Sequence, residues 1–171
     1  MNILDELKSS RKKPKELLSY LTEQIKKDHK LLTQFPDILK NGSSVEKGIC
    51  IEVLEYISKD QPKLVEPYVN FIIGSLNDDS PKIKWESARV IGNVSSKCPN
   101  SVLKAVDKLL ANTNDKSTVV RWSTAFALGE IAKHNFNIQS TLITEIEKII
   151  KKEQNNGVKN VYLKALKLIN K

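Results

Sequence analysis

One phrase occurs twice, and that duplication limits what the chain can become. Asn77 to Val94 reads NDDSPKIKWESARVIGNV, and 37 residues later Asn114 to Ile131 reads NDKSTVVRWSTAFALGEI. Asn77 falls on Asn114, Asp78 on Asp115, Ser80 on Ser117, Lys84 on Arg121, Trp85 on Trp122, Ala88 on Ala125 and Gly92 on Gly129. A period of this length belongs to two-helix repeats, whose units cannot bury their apolar sides alone and must stack.

The flanking chain fits the same scheme. Residues 2–9 suggest a short helical flap, with the charged SSRKK stretch as its hinge. Pro14 suits the first position of a helix, where its missing N–H would be unpaired anyway. Leu17, Leu18, Leu21 and Ile25 then give one apolar stripe. Leu31, Leu32 and Phe35 begin a second helix that Pro36 bends or restarts, and Asn41-Gly42 ends it with residues tolerant of positive φ.

Ser43 or Ser44 caps a helix with Val45, Ile49, Val53, Leu54 and Ile57 inward, and a partner spans Leu64–Leu76 with Pro67 in its first turn. In the first full copy Ile83, Ser87, Val90, Ile91 and Val94 face inward, followed by Val102, Leu103, Val106, Leu109 and Leu110. In the second, Val120, Thr124, Leu128 and Ile131 precede Leu142, Ile143, Ile146, Ile149 and Ile150. A last helix, Val158–Asn170, sets Tyr162 and Ala165 in the places of Trp122 and Ala125 at an offset of 40. No stretch alternates with the period of two that a half-buried strand requires, so the chain is expected to be all-α. The expected units are 14–40, 44–76, 77–112, 114–153 and a capping helix over 157–171, within a single domain 1–171.

The totals narrow the function classes. The 171 residues carry a formal charge of +8. Residues 41–80 are net acidic, with three basic against seven acidic groups, so no continuous positive track runs along the stack. Cys50 and Cys98 follow no spacing motif and read as reduced thiols of a cytoplasmic protein. His29 and His134 lack metal-set neighbours, and no glycine-rich phosphate loop or nucleophile elbow occurs. The expectation is therefore no cofactor, no metal, no catalysis, and no membrane span among the apolar runs.

The phrases DDSPKIKWESARVIG and NDKSTVVRWSTAFALG resemble the HEAT-repeat pattern of Asp, often Pro, then Val-Arg, an alanine-rich run and Leu-Gly. The second copy keeps Asp115, Val120, Arg121, Ala125, Ala127, Leu128 and Gly129. The first keeps Asp78, Pro81, Ile83, Lys84, Ala88, Ile91 and Gly92. The match is dense over about 77–150 and rests elsewhere on length and apolar pattern. The resemblance implies a right-handed α-α superhelix (an armadillo-type α-solenoid) of about four HEAT-like hairpins plus a terminal helix. It further implies charge pairs between successive repeats, which here suggests Asp78 with Arg121.

Two surfaces are candidates for a protein partner. The column Trp85, Trp122, Tyr162, with Phe126 on its stripe, either packs between adjacent first helices or forms an exposed aromatic strip. The second helices, expected to line the inner curve, supply Asn70, Asp107 and Glu147 in one row and Phe71, Lys108 and Lys148 in the next, with Lys104 one turn away. Mixed charge suits a protein segment better than a phosphate backbone. The reading is thus a non-catalytic scaffold or adaptor. The alternative is a nucleic-acid binder related to HEAT-like DNA alkylation-repair glycosylases, using Lys82, Lys84, Arg89, Lys104, Lys108, Lys148, Lys151 and Lys152.

Overall fold

Helix starts in this chain are set by short-range polar bonds. Ser43 and Glu46 form a reciprocal cap: the Glu46 N–H donates to Ser43 Oγ, and the Ser43 N–H donates to Glu46 Oε2 at 2.7 Å. Asp78 and Asp115 each accept the N–H two residues on, from Ser80 at 2.9 Å and Ser117 at 2.8 Å. Asn155 accepts the Val158 N–H at 3.1 Å. Pro14, Pro36, Pro62 and Pro81 all stand at the first or second position of a helix.

A computed structural model of the chain describes residues 1–170; Lys171, the end of the expected capping helix, lies outside them. The helices are α1 (Ile3–Ser9), α2 (Pro14–Lys27), α3 (Phe35–Asn41), α4 (Ser44–Asp60), α5 (Pro62–Val65), α6 (Val69–Ser75), α7 (Pro81–Ser95), α8 (Val106–Asn112), α9 (Thr118–His134), α10 (Gln139–Lys152) and α11 (Asn156–Ile169). No strand occurs among the described residues. The chain is an all-α solenoid.

Several second helices are broken where the sequence suggested continuous ones. Pro67 sits inside a 3-10 turn, Glu66–Tyr68, so the expected helix Leu64–Leu76 is α5, that turn and α6. A 3-10 stretch, His29–Gln34, likewise precedes α3, and another, Leu103–Ala105, precedes α8. Gly42 ends α3 at φ −71, not in the left-handed region. Its lack of a side chain matters for another reason, because a Cβ there would lie 2.6 Å from the Ile38 carbonyl oxygen.

The layers differ in spacing. The first helices α4, α7, α9 and α11 pack directly along one another, whereas α6 and α8, and α8 and α10, barely meet. Small residues permit that approach. A Cβ on Gly92 would stand 2.4 Å from the Phe126 ring, and one on Gly129 would stand 2.7 Å from Ala165 Cβ. The first helices thus form the tightly packed layer of the stack and the second helices the looser one.

Burial follows the apolar stripes closely. Ile83, Ser87, Val90, Ile91 and Val94 are buried, as are Val120, Thr124, Leu128 and Ile131. Val45 departs from this, standing 72% exposed on the first turn of α4, before the helix meets its neighbours. Ile3 is fully buried, and its N–H donates to Gln34 Oε1 at 2.8 Å, so α1 closes the N-terminal end of the core.

The terminal helix needs a corrected register. Its N-cap Asn155 follows N-cap Ser117 by 38 residues, which sets buried Val158 on Val120 and buried Tyr162 on Thr124. Tyr162 thus belongs to the core column, not to that of Trp122, whose counterpart is exposed Asn160. The offset of 40 followed ring identity, while the position of the cap sets the true register.

Two alanine substitutions separate the glycines by role. Gly92→Ala should lower stability by about 1–3 kcal/mol through overpacking against Phe126. Gly74→Ala should raise it by about 0.4–1 kcal/mol, since nothing lies within 4 Å of the added methyl in exposed helix α6. Thermal melts of both variants check the packing of the first layer. In the same melts Leu128→Ala should cost about 2–5 kcal/mol and exposed Lys104→Ala almost nothing.

Candidate protein-binding face

A ladder of charge pairs joins the repeats. Lys84 Nζ of α7 reaches Asp115 Oδ2 at 2.8 Å, and Arg121 Nε of α9 reaches Glu153 Oε2 at 2.9 Å. A second guanidinium nitrogen, Nη2, donates to Glu153 Oε1 at 3.3 Å, and Nη1 donates to the Asp115 carbonyl at 2.8 Å. Each base therefore reaches forward to the acid that opens the next helix. The suggested Asp78–Arg121 pair is absent, because Arg121 lies beyond Asp78 in the stack and turns away from it. Asp78 instead accepts the Ser80 N–H, closing the turn that leads into α7.

These acids bind protons weakly. Burial acts to raise Asp115, but the Lys84 ammonium and the Ser117 N–H outweigh it and hold its carboxyl below the ordinary value. For Glu153 burial is likewise overcome, by Arg121 and the Asn155 N–H.

A solvent-facing stripe runs along each first helix at three-to-four-residue spacing. It comprises Val45, Glu52, Tyr56 and Lys59 on α4, then Lys82, Trp85, Arg89 and Asn93 on α7. On α9 it comprises Val119, Trp122, Phe126 and Glu130. Trp122, 44% exposed, stacks on Phe126 with centroids 6.5 Å apart and planes at 16°. Tyr56, Val119, Leu163 and Leu168 are also exposed on first helices, so most of the large exposed apolar side chains share this layer.

Between α4 and α7 the stripe is backed by an ionic network in which part-exposed cations gather over buried Glu55 and Glu86. Arg89 Nη2 lies 2.9 Å from Glu55 Oε1, Lys59 Nζ lies 3.0 Å from Glu55 Oε2, and Lys82 Nζ lies 2.7 Å from Glu52 Oε2. Trp85 Nε1 donates to Glu86 Oε1 at 2.9 Å, and Asn93 Nδ2 donates to Ser58 Oγ at 2.9 Å. Burial raises the Glu86 carboxyl above its ordinary value; the Trp85 bond and Arg89 oppose this, and Glu55 and Glu52 add to it.

The ten candidate residues divide between the layers. Trp85, Trp122 and Phe126 lie together on the first layer. Asn70, Phe71, Lys104, Asp107, Glu147 and Lys148 are exposed on second helices, and Lys108 is half-buried there. Phe71 is 40% exposed, and Lys148 pairs with Glu145 at 2.8 Å. The basic set is divided too, with Lys82, Lys84 and Arg89 each paired to a carboxylate on or between first helices. Sequence reasoning missed Tyr56, Val119 and the three glutamates. Val119 lies three residues before Trp122 and Glu130 four after Phe126, so the stripe was legible from the tryptophan.

The family described as non-SMC mitotic condensation complex subunit 1 matches residues 45–171. The chain belongs to this family. No curated protein matches it. A designed armadillo repeat protein in complex with peptide (KR)4 superposes with a TM-score of 0.75 at 19% identity, covering 98% of this chain and 80% of that one. Computationally designed armadillo repeat proteins for modular peptide recognition give 0.74 at 16% identity, over 98% and 81%. An engineered protein gives 0.75 at 18%, over 99% of this chain and 47% of its own. At such identities the likeness establishes the fold alone.

Arg121→Met keeps the apolar stem and removes the charge over buried Glu153, so it should cost about 3 kcal/mol at neutral pH. A carboxylate held below its ordinary pKa contributes stability above the unfolded value and loses it as pH falls through the folded value. The gap between wild type and Arg121→Met should therefore shrink below about pH 4, as read by thermal melts across pH.

Proposed function

We propose that the chain is a non-catalytic scaffold, one domain built of stacked helical units, whose first-helix layer receives a segment of a protein partner. The observation that carries this reading is exposed Trp122 stacked on half-buried Phe126 in the first-helix layer, where Val119 and Tyr56 are exposed as well. Large aromatic rings give much contact area for little loss of rotamer freedom, which is why they anchor interfaces. The designed armadillo repeat protein in complex with peptide (KR)4 offers a precedent for a peptide on such a fold. Membership of a family described by a complex subunit also favours a protein partner.

The second-helix residues Asn70, Phe71, Lys104, Asp107, Lys108, Glu147 and Lys148 form a separate surface, away from Trp122. A cytoplasmic setting is supported by two buried, unpaired thiols, Cys50 and Cys98. The nucleic-acid reading is weaker on this face, because Glu52, Glu55 and Glu86 already neutralise Lys59, Lys82 and Arg89. Phosphates gain most from unopposed cations.

Selection of a displayed random-peptide library on the protein tests the proposal. Enriched peptides should bind Trp122→Ala at least about tenfold more weakly than wild type, as expected for an aromatic anchor, and bind Lys104→Ala equally well. Peptides indifferent to Trp122→Ala would place binding elsewhere. Labelled single- and double-stranded DNA should bind only at low salt; binding that persists at physiological salt would favour the nucleic-acid reading.

A further inference from the structure

One inter-repeat seam between second helices stays open where a polar tie made in the preceding repeat has no counterpart. Asn112, buried at the end of α8, donates Nδ2 to the Leu76 carbonyl at 2.9 Å and ties α8 to the end of α6. In the next repeat the residue in that place, 38 positions on, is Ile150, and the carbonyl in the place of Leu76 belongs to Thr113. An isoleucine donates nothing. Between the end of α8 and α10 a cleft of about 490 Å³ remains.

The lining of the cleft has two characters. Leu110 and Ile149 supply apolar wall, while Lys116, Lys148 and Lys152 stand at the rim. Arg121 also lines it, but its guanidinium is consumed by Glu153 and the Asp115 carbonyl. Asp115 is taken by Lys84 and Glu145 by Lys148. After these pairings Lys116 and Lys152 remain exposed, with no carboxylate partner among the described residues.

We propose that the α8–α10 cleft docks an acidic segment of a protein partner, one that sets an apolar side chain on Leu110 and Ile149 and carboxylates against Lys116 and Lys152. Charge complementarity and the apolar wall together select this occupant. A bare phosphate chain would leave the wall uncovered and would meet Asp115, Glu145 and Glu153, whereas a short peptide can keep its carboxylates at the rim. The site lies between second helices and does not depend on the Trp122 face.

Anisotropy titrations of three labelled probes of equal charge test the proposal: a peptide alternating Glu and Leu, one alternating Glu and Ser, and oligothymidylate. The Glu/Leu peptide should bind tightest, with the Glu/Ser peptide about tenfold weaker for want of the apolar contact. Lys116→Glu combined with Lys152→Glu should weaken the Glu/Leu peptide at least about tenfold. Lys27→Glu with Lys30→Glu, the same charge change at the far end of the stack, should leave it nearly unchanged. Trp122→Ala should also have no effect, which separates this site from the Trp122 face.

Absence of Glu/Leu binding would overturn the proposal, as would equal binding of all three probes, or tightest binding of oligothymidylate. So would loss on Trp122→Ala, or indifference to the Lys116/Lys152 pair. Thermal melts of each variant confirm that the surface changes leave the fold intact.

Discussion

The close approach of one first helix to the next is the constraint on which the rest of the structure depends. Gly92 lies under the Phe126 ring, and Gly129 lies under Ala165. Interaxial distance is set by the side chains at the contact, so a missing Cβ draws helices together. The second helices are not drawn together likewise, and the opening between α8 and α10 lies in that looser layer.

Charge pairing reinforces the same geometry at the helix starts. Asp115 and Glu153 each serve two bonds at once, accepting the N–H that opens their own helix and the cation of the preceding one. A capping carboxylate is confined already, so less freedom is lost when the cation arrives. The direction, base forward to acid, makes each repeat complete the next one's N-terminus. The pairs differ in strength of hold: Arg121 grips with a planar fork and also bonds a carbonyl, while Lys84 offers a single point charge.

Sequence periodicity carried the architecture well and the surface less well. The 37-residue repeat gave the helices, and the cores of α7 and α9, because an apolar stripe and a cap are local properties. Tyr162 was misplaced because ring type suggested a correspondence that only the Asn155 cap decides. The Asp78–Arg121 pair failed for a related reason: sequence shows which charges recur but not which way a side chain reaches between repeats. Which layer packs tightly needed a fact absent from either copy alone, namely which helices carry the glycines at their mutual contact. The stripe of Val119, Trp122, Phe126 and Glu130 is an ordinary helical spacing.

In a chain of repeats, identical positions do identical structural work, so specificity resides where the copies part company. Trp85 and Trp122 show this on the first helices. The first is half-buried and turned onto Glu86 through Nε1, while the second, with no acid beside it, stacks on Phe126 and stays in solvent. Asn112 and Ile150 show it between the second helices, where an isoleucine stands in the place of the amide that ties α8 to the Leu76 carbonyl. Each difference changes one hydrogen bond and leaves the stack intact, because the Gly92 and Gly129 contacts already hold the layers. A repeat fold can therefore vary its binding surfaces independently of its core, one column at a time.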